Sequence, residues 1–368
     1  MTDDVLISVE RGIGRLRLNR PKAIHALTTA MCEKMSEALL AWLDDDNVEM
    51  VVIDHAEGRG FCAGGDVVML ARSGNTDADE AKRFFFAEYR LNHLLFSYPK
   101  PTLAIMDGIT MGGGVGISLP CSYRVATENT RLAMPETSIG LFPDVGGGWY
   151  LSRLPGRVGQ FMVLTGARLD GAECHYLNLA THYVEQSGIE DLVERLMVAP
   201  GRATGALGAA SAPTPEVKIE QNLALIARLF ASDRLEEVLA ALEQDESEWA
   251  HTELSTIRTK SPLSCKVSLR LLADGAARAS FADEMRAEYA LAGRVVRTHD
   301  FREGVRAVLI DKTGDPQWDP PTAEEVTQEM LDVLFAPLPA SEEWTPFPEA
   351  ETVASATTPP SWSRSAAR

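Results

Sequence analysis

No stretch of this chain holds the roughly 18 consecutive apolar residues that a membrane-spanning helix requires, so a bilayer span is not expected. Cysteine is sparse and scattered: Cys32, Cys62, Cys121, Cys174 and Cys265 form no CxxC pair. An odd count without pairing fits reduced, mostly buried thiols better than a disulfide framework, and it indicates no metal site. Positive charge is also short. The 35 Lys and Arg against 53 Asp and Glu leave a formal net charge of −18, which argues against nucleic acid as a partner. An anionic ligand would have to find basic groups locally. The acidic start, MTDDVLISVERG, runs directly into an alternating pattern, unlike a signal or transit peptide, so a cytoplasmic location is expected.

At 368 residues the chain is long for one compact core, which suggests a large domain with a smaller appended part. Residues Val5 to Val9 and Ile13 to Leu18, joined by Glu10-Arg11-Gly12, read as a hairpin. Met31, Met35, Leu39 and Trp42 recur at helical spacing from Thr28 to Leu43, before a short buried strand, Met50 to Ile53. Strand, helix and strand then recur: Pro101 to Met106, a helix from Gly112 to Pro120, and Ser122 to Ala126. This alternation predicts an α/β domain with helices packed on the sheet. A long helix, about Asp77 to Ser97, puts Phe84, Glu88, Leu91 and Leu95 on one face. Glu88 therefore interrupts an apolar stripe, either lightly covered by neighbours or facing a cavity. Residues 1–198 are expected to form the core and 199–217, rich in Gly, Ala and Pro, a loop or linker. Residues 218–336 then form a helical region, and the Pro-rich 337–368 an extended or disordered tail.

The chain is organised around Met134 to Gly148, MPETSIGLFPDVGGG. Its prolines and glycines suit neither a plain helix nor a central strand, so it reads as a rigid folded-back loop. Two carboxylates, Glu136 and Asp144, stand eight positions apart among apolar residues. Unpaired burial of charge is costly, which suggests that they are held for chemistry. The bland alternative makes Asp144 a helix N-cap and Glu136 a surface residue. Two glycine-rich stretches, Arg59 to Asp66 (RGFCAGGD) and Met111 to Gly116 (MGGGVG), each link a strand to a helix and so present free backbone N–H groups. Together they could form a hole for a developing oxyanion.

The combination FCAGGD, GITMGGGVG and MPETSIGLFPDVGGG resembles the crotonase (enoyl-CoA hydratase/isomerase) superfamily, and in detail its 3-hydroxyisobutyryl-CoA hydrolase branch. The similarity continues through FFFAEYRLNHLL, TGARLDGAEC, SPLSCKVSLRLL and FREGVRAVLIDKTGDPQW, roughly residues 5 to 325. It implies an α/β fold, a crotonase-like spiral of ββα units with a helical C-terminal region. It also implies a coenzyme A thioester as substrate, with no cofactor beyond the CoA of that substrate, and commonly a homo-oligomer. By matched positions, Gly65 and Gly113 would supply the oxyanion-hole amides, Glu136 and Asp144 the acidic pair, and Glu88 a further substrate contact.

The departures also matter. Hydratases of the superfamily use two glutamates, and the first of these positions is Gly116 here, so only Glu136 survives. Adding water across a double bond needs both a base and an acid, which counts against a hydratase. The usual Asn of the early R-P-x-x-x-N-A-L segment is His25, expected to be a satisfied structural histidine. Arg20, Lys22 and Lys266 are candidates for the CoA phosphates, although a solvated surface charge is the plainer reading of each. Three functions follow: hydrolysis of a short 3-hydroxyacyl-CoA, an enoyl-CoA hydratase or isomerase, and a non-catalytic acyl-CoA-binding protein. The intact pair Glu136 and Asp144 disfavours the last.

Overall fold

A computed structural model describes residues 3–350. Two sheets carry the core. Strands β1 (Val5–Glu10) and β2 (Gly12–Leu18) form the antiparallel hairpin. Strands β3 (Val48–His55), β5 (Thr102–Met106), β7 (Tyr123–Ala126) and β10 (His182–Tyr183) extend that sheet in parallel, in the order β1-β2-β3-β5-β7-β10. The second sheet holds β4 (Gly60–Cys62), β6 (Ile109–Met111), β8 (Arg131–Ala133) and β9 (Leu169–Asp170), with β4, β6 and β8 parallel.

The two sheet orders define the architecture. Each turn of the chain lays one strand beside its predecessor in the first sheet (β3, β5, β7) and the next in the second (β4, β6, β8), then leaves through a helix or loop. This is the spiral of ββα units that the resemblance implied. Its consequence is geometric: segments two or three residues beyond β4, β6 and β8 must lie side by side at one end of the small sheet. Those segments begin with Gly65, Gly113 and Glu136.

The helices clothe both sheets. Early in the chain come α1 (Thr29–Ala41), α2 (Val67–Gly74), α3 (Asp79–Phe96), α4 (Gly113–Ser118) and α5 (Gly147–Leu151). Then follow α6 (Val158–Thr165), α7 (Gly171–Tyr176), α8 (Ile189–Val198) and α9 (Ala203–Ala210). The C-terminal region contributes α10 (Leu223–Leu229), α11 (Leu235–Gln244), α12 (Glu248–Ile257), α13 (Pro262–Ala277), α14 (Phe281–Val295), α15 (His299–Val305) and α16 (Gln328–Phe335). Side chains alternate across β3, so Val51 and Ile53 join the main core while Met50 and Val52 pack under α8 and α9.

Two expectations from composition are corrected. Residues 199–217 are not simply a loop: α9 buries Ala203 and Leu207 against the sheet. Alanine is the best helix former, and its abundance outweighs the two glycines of that helix. The tail is seated as far as it is described. Trp344 is fully buried, meets His93 edge to face at 5.7 Å between ring centroids and donates its indole N–H to Phe86 O at 3.3 Å. Arg90 holds Thr345 O at 2.8 Å. Residues 351–368 of the expected tail lie outside the described part.

Candidate active site

The three convergent segments enclose a cavity of about 390 Å³, lined among others by Gly65, Phe84, Glu88, Gly113, Glu136 and Asp144. The proposed oxyanion-hole glycines, Gly65 and Gly113, and the acids Glu88, Glu136 and Asp144 thus reach one space. In the bridge between Leu27 and Gly65, the Leu27 amide donates to Gly64 O (2.7 Å) and the Asp66 amide to Leu27 O (3.1 Å). Such a parallel bridge bonds the neighbours of Gly65 and turns its own N–H the other way. Gly113 is the first residue of α4, where an N–H has no partner within the helix. Neither amide meets an acceptor among the described residues. The loops touch: a Cβ on Gly64, whose φ is +108°, would stand 3.7 Å from the Gly113 nitrogen. The positive φ at Gly64, which a side chain would strain, sets the course of the loop that carries the Gly65 amide.

All three carboxylates are buried. Glu136 opens a short 3-10 turn, Glu136–Ile139, that closes on Gly140 in a left-handed conformation. Its Oε2 has no hydrogen-bond partner among the described residues. Burial pushes its carboxyl well above the usual range, and the nearby Asp144 adds to this. Asp144 does not cap a helix through its side chain; it accepts the Tyr89 hydroxyl at 2.9 Å. Burial raises Asp144 from 3.8 to about 6, with that hydroxyl holding it down. Glu88 does face the cavity from the apolar stripe of α3, its Oε1 unpartnered, and burial followed by Asp144 raises it well above 4.5. Three buried acids around one cavity cannot all be charged cheaply, so protons are retained at neutral pH.

The match to the family model described as enoyl-CoA hydratase/isomerase runs over residues 13–335. The chain belongs to the enoyl-CoA hydratase/isomerase family. Within the family it falls in the 3-hydroxyisobutyryl-CoA hydrolase branch. It is 40% identical over 344 residues to "3-hydroxyisobutyryl-CoA hydrolase, mitochondrial" of Gallus gallus, covering 91% of this chain and 89% of that one. Among solved structures it resembles a carnitinyl-CoA dehydratase from Mycobacterium thermoresistibile, with TM-score 0.89, 40% identity and coverage of 94% and 99% of the two chains. An enoyl-CoA hydratase from Rhodobacter sphaeroides 2.4.1 gives TM-score 0.86 at 37% identity, covering 93% and 100%.

Gly116 is the position where the resemblance puts the other glutamate of a hydratase. Gly116 is buried in α4, and a Cβ there would fall 2.5 Å from Val145 Cβ and 2.9 Å from Asn92 Nδ2. The site where a second glutamate would stand is closed by packing.

The basic candidates fare differently. Lys266 lies on α13, where it pairs with Glu236 and donates to Val326 O, outside the cavity lining. Arg20 is turned to Asp4 and Ala26 O, and Lys22 is exposed outside the lining. The cation at the cavity is Arg168, which sequence reasoning missed. Also missed were Tyr89 and the apolar pair Val308 and Leu309, which reach the cavity from a π turn after α15. His25 is a structural histidine: its Nδ1 accepts the Arg20 amide at 2.9 Å, so Nε2 carries the proton donated to Glu57 O at 2.8 Å.

Proposed function

We propose that this protein hydrolyses the thioester of a short 3-hydroxyacyl-CoA, 3-hydroxyisobutyryl-CoA in particular, to the free acid and CoA in valine breakdown. The observation that carries the reading is buried Glu136 beside two free amides, with a packed glycine at the position of a hydratase's other glutamate. The names of the curated relatives support the same substrate.

In this reading the thioester oxygen accepts the N–H groups of Gly65 and Gly113. As the carbonyl carbon becomes tetrahedral, each fixed donor is worth about 3 kcal/mol, on the order of a hundredfold in rate. Glu136 attacks that carbon directly, forming an anhydride that water then opens, or takes a proton from the attacking water. CoA leaves as the thiolate and is reprotonated. Asp144, steadied by Tyr89, faces the substrate's 3-hydroxyl or the water, and Glu88 contacts the acyl group. Chemistry of this kind needs no cofactor or metal. Two of the similar solved structures are titled dehydratase and hydratase. For this chain, the packing at Gly116 favours hydrolysis over those reactions.

The test is free-thiol release from a panel of acyl-CoAs, run beside hydration of crotonyl-CoA. Thiol release from 3-hydroxyisobutyryl-CoA should exceed hydration, and Glu136→Gln should lose most of it while still binding the thioester. Faster hydration, or a fully active Glu136→Gln, would overturn the reading. Against the expected cytoplasmic location, the Gallus gallus relative carries a mitochondrial name. Fractionation of cells expressing the tagged chain distinguishes the two.

A further inference from the structure

The loop bearing Asp144 is held from a distant part of the chain. Its side chain has one hydrogen bond from another residue among those described, the Tyr89 hydroxyl, so backbone position decides where the carboxylate points. That backbone is unusual: Val145 and Gly146 follow one another with φ of +56° and +88°. A β-branched residue in the left-handed region costs free energy and persists only where the surroundings over-determine it.

The surroundings are supplied by α14. Glu288, fully buried on that helix, accepts the Gly146 amide on Oε2 at 2.8 Å and the Gly148 amide on Oε1 at 3.2 Å. These are the N–H groups of the N-cap residue and the second residue of α5, which has no side-chain cap of its own. One carboxylate 142 residues away in sequence therefore spans the turn immediately after Asp144. Beside it, Glu284 is also fully buried, within hydrogen-bond reach of Glu288 and paired with Arg278 Nε at 2.7 Å. Two buried carboxyls in contact share a proton rather than carry two charges.

We infer that Glu288 is a positioning residue: its carboxylate clamps the Val145–Gly146 turn and thereby aims Asp144 into the cavity. The inference rests on the proposed role of Asp144. It differs from a purely structural role in what it says about substitutions. Gln at 288 keeps the size, but its amide nitrogen must face a backbone N–H, so one of the two bonds is lost and a donor meets a donor. Gln at 284 leaves both amide bonds to Glu288 in place, and the clamp survives.

The experiment compares kcat and KM for Glu288→Gln, Glu288→Asp and Glu284→Gln, using the acyl-CoA that the wild-type protein turns over fastest. Thermal melts establish that each variant is folded at the assay temperature. Glu288→Gln should lose at least tenfold in kcat with KM changed less than threefold, while Glu284→Gln stays within threefold of wild type in both. If Glu288→Gln does not fold, Glu288→Asp carries the test, because it keeps the charge but withdraws the oxygens by one methylene and should lower kcat at constant KM. Wild-type kcat in whichever Glu288 variant is folded, or equal losses in Glu284→Gln and Glu288→Gln, would overturn the inference. Failure of the hydrolase reading would show in the wild-type protein's own choice of reaction, before any variant is made.

Discussion

Installing a glutamate at Gly116 restores, on paper, the acid pair of a hydratase, and the structure says it will not produce one. Even alanine there puts a Cβ 2.5 Å from Val145 Cβ and 3.0 Å from Val145 Cγ2. Overpacking of this kind costs about 1–3 kcal/mol, against a gain of about 1 kcal/mol for replacing a helical glycine. Glutamate adds a carboxyl in a site closed to water, where an unsatisfied polar group costs about 1–3 kcal/mol or more. The side-chain amide of Asn92, itself without a partner among the described residues, could return only about 1 kcal/mol through one hydrogen bond. The balance is unfavourable by a few kcal/mol. Val145 must give way, and it directly follows Asp144. Gly116→Glu should therefore melt several degrees below wild type and release thiol more slowly. Hydration of crotonyl-CoA, followed by loss of the conjugated thioester's absorbance, should stay at background. If the variant hydrated crotonyl-CoA about as fast as the wild type releases thiol, the packing argument would be wrong and the hydratase reading would return.

Two other outcomes follow from burial. Asp144 titrates at about 6 when folded and at the ordinary 3.8 when unfolded, so its charging opposes folding progressively between those values. At about 1.4 kcal/mol per pH unit this approaches roughly 3 kcal/mol. Asp144→Asn should raise the melting temperature at pH 7.5, and the gain should vanish as the pH falls towards 4; a gain independent of pH would refute the assignment. Trp344→Ala should cost about 3–5 kcal/mol, the range for removing a buried large aromatic, and melting curves with unchanged stability would show that the segment after Pro337 is not part of the fold.

Local pattern was enough to read much of this molecule. The hairpin, the helix carrying Glu88 on an apolar stripe, and the glycine turns after β4 and β6 are all periodicity and turn chemistry, which neighbouring residues determine. Convergence of Gly65, Gly113 and Glu136 could be anticipated through the resemblance, and the two sheet orders supply its cause. What stayed hidden depends on contacts distant in sequence. Tyr89 meets Asp144 across 55 positions, and Glu288 meets Gly146 across 142. The composition of 199–217, rich in Gly, Ala and Pro, reads as a loop, while the helical register of its alanines decides the structure over 203–210. Lys266 was proposed for charge alone, yet its partner Glu236 lies on the facing helix α11.

That long reach has a consequence for how the protein is made. During synthesis the Asp144 loop emerges from the ribosome 142 residues before Glu288 does. At about 5–20 residues per second the interval is roughly 7–30 s. Throughout it the spiral sheets can assemble, but the turn at Val145–Gly146 has no clamp, and Leu309 is not yet there to line the cavity. A nascent chain stalled early in that window would lack the clamp and also the part of the main core that α10 to α14 supply, such as Phe230, Leu272 and Met285. Truncations far downstream of Asp144 should therefore abolish turnover as fully as changes to the loop itself.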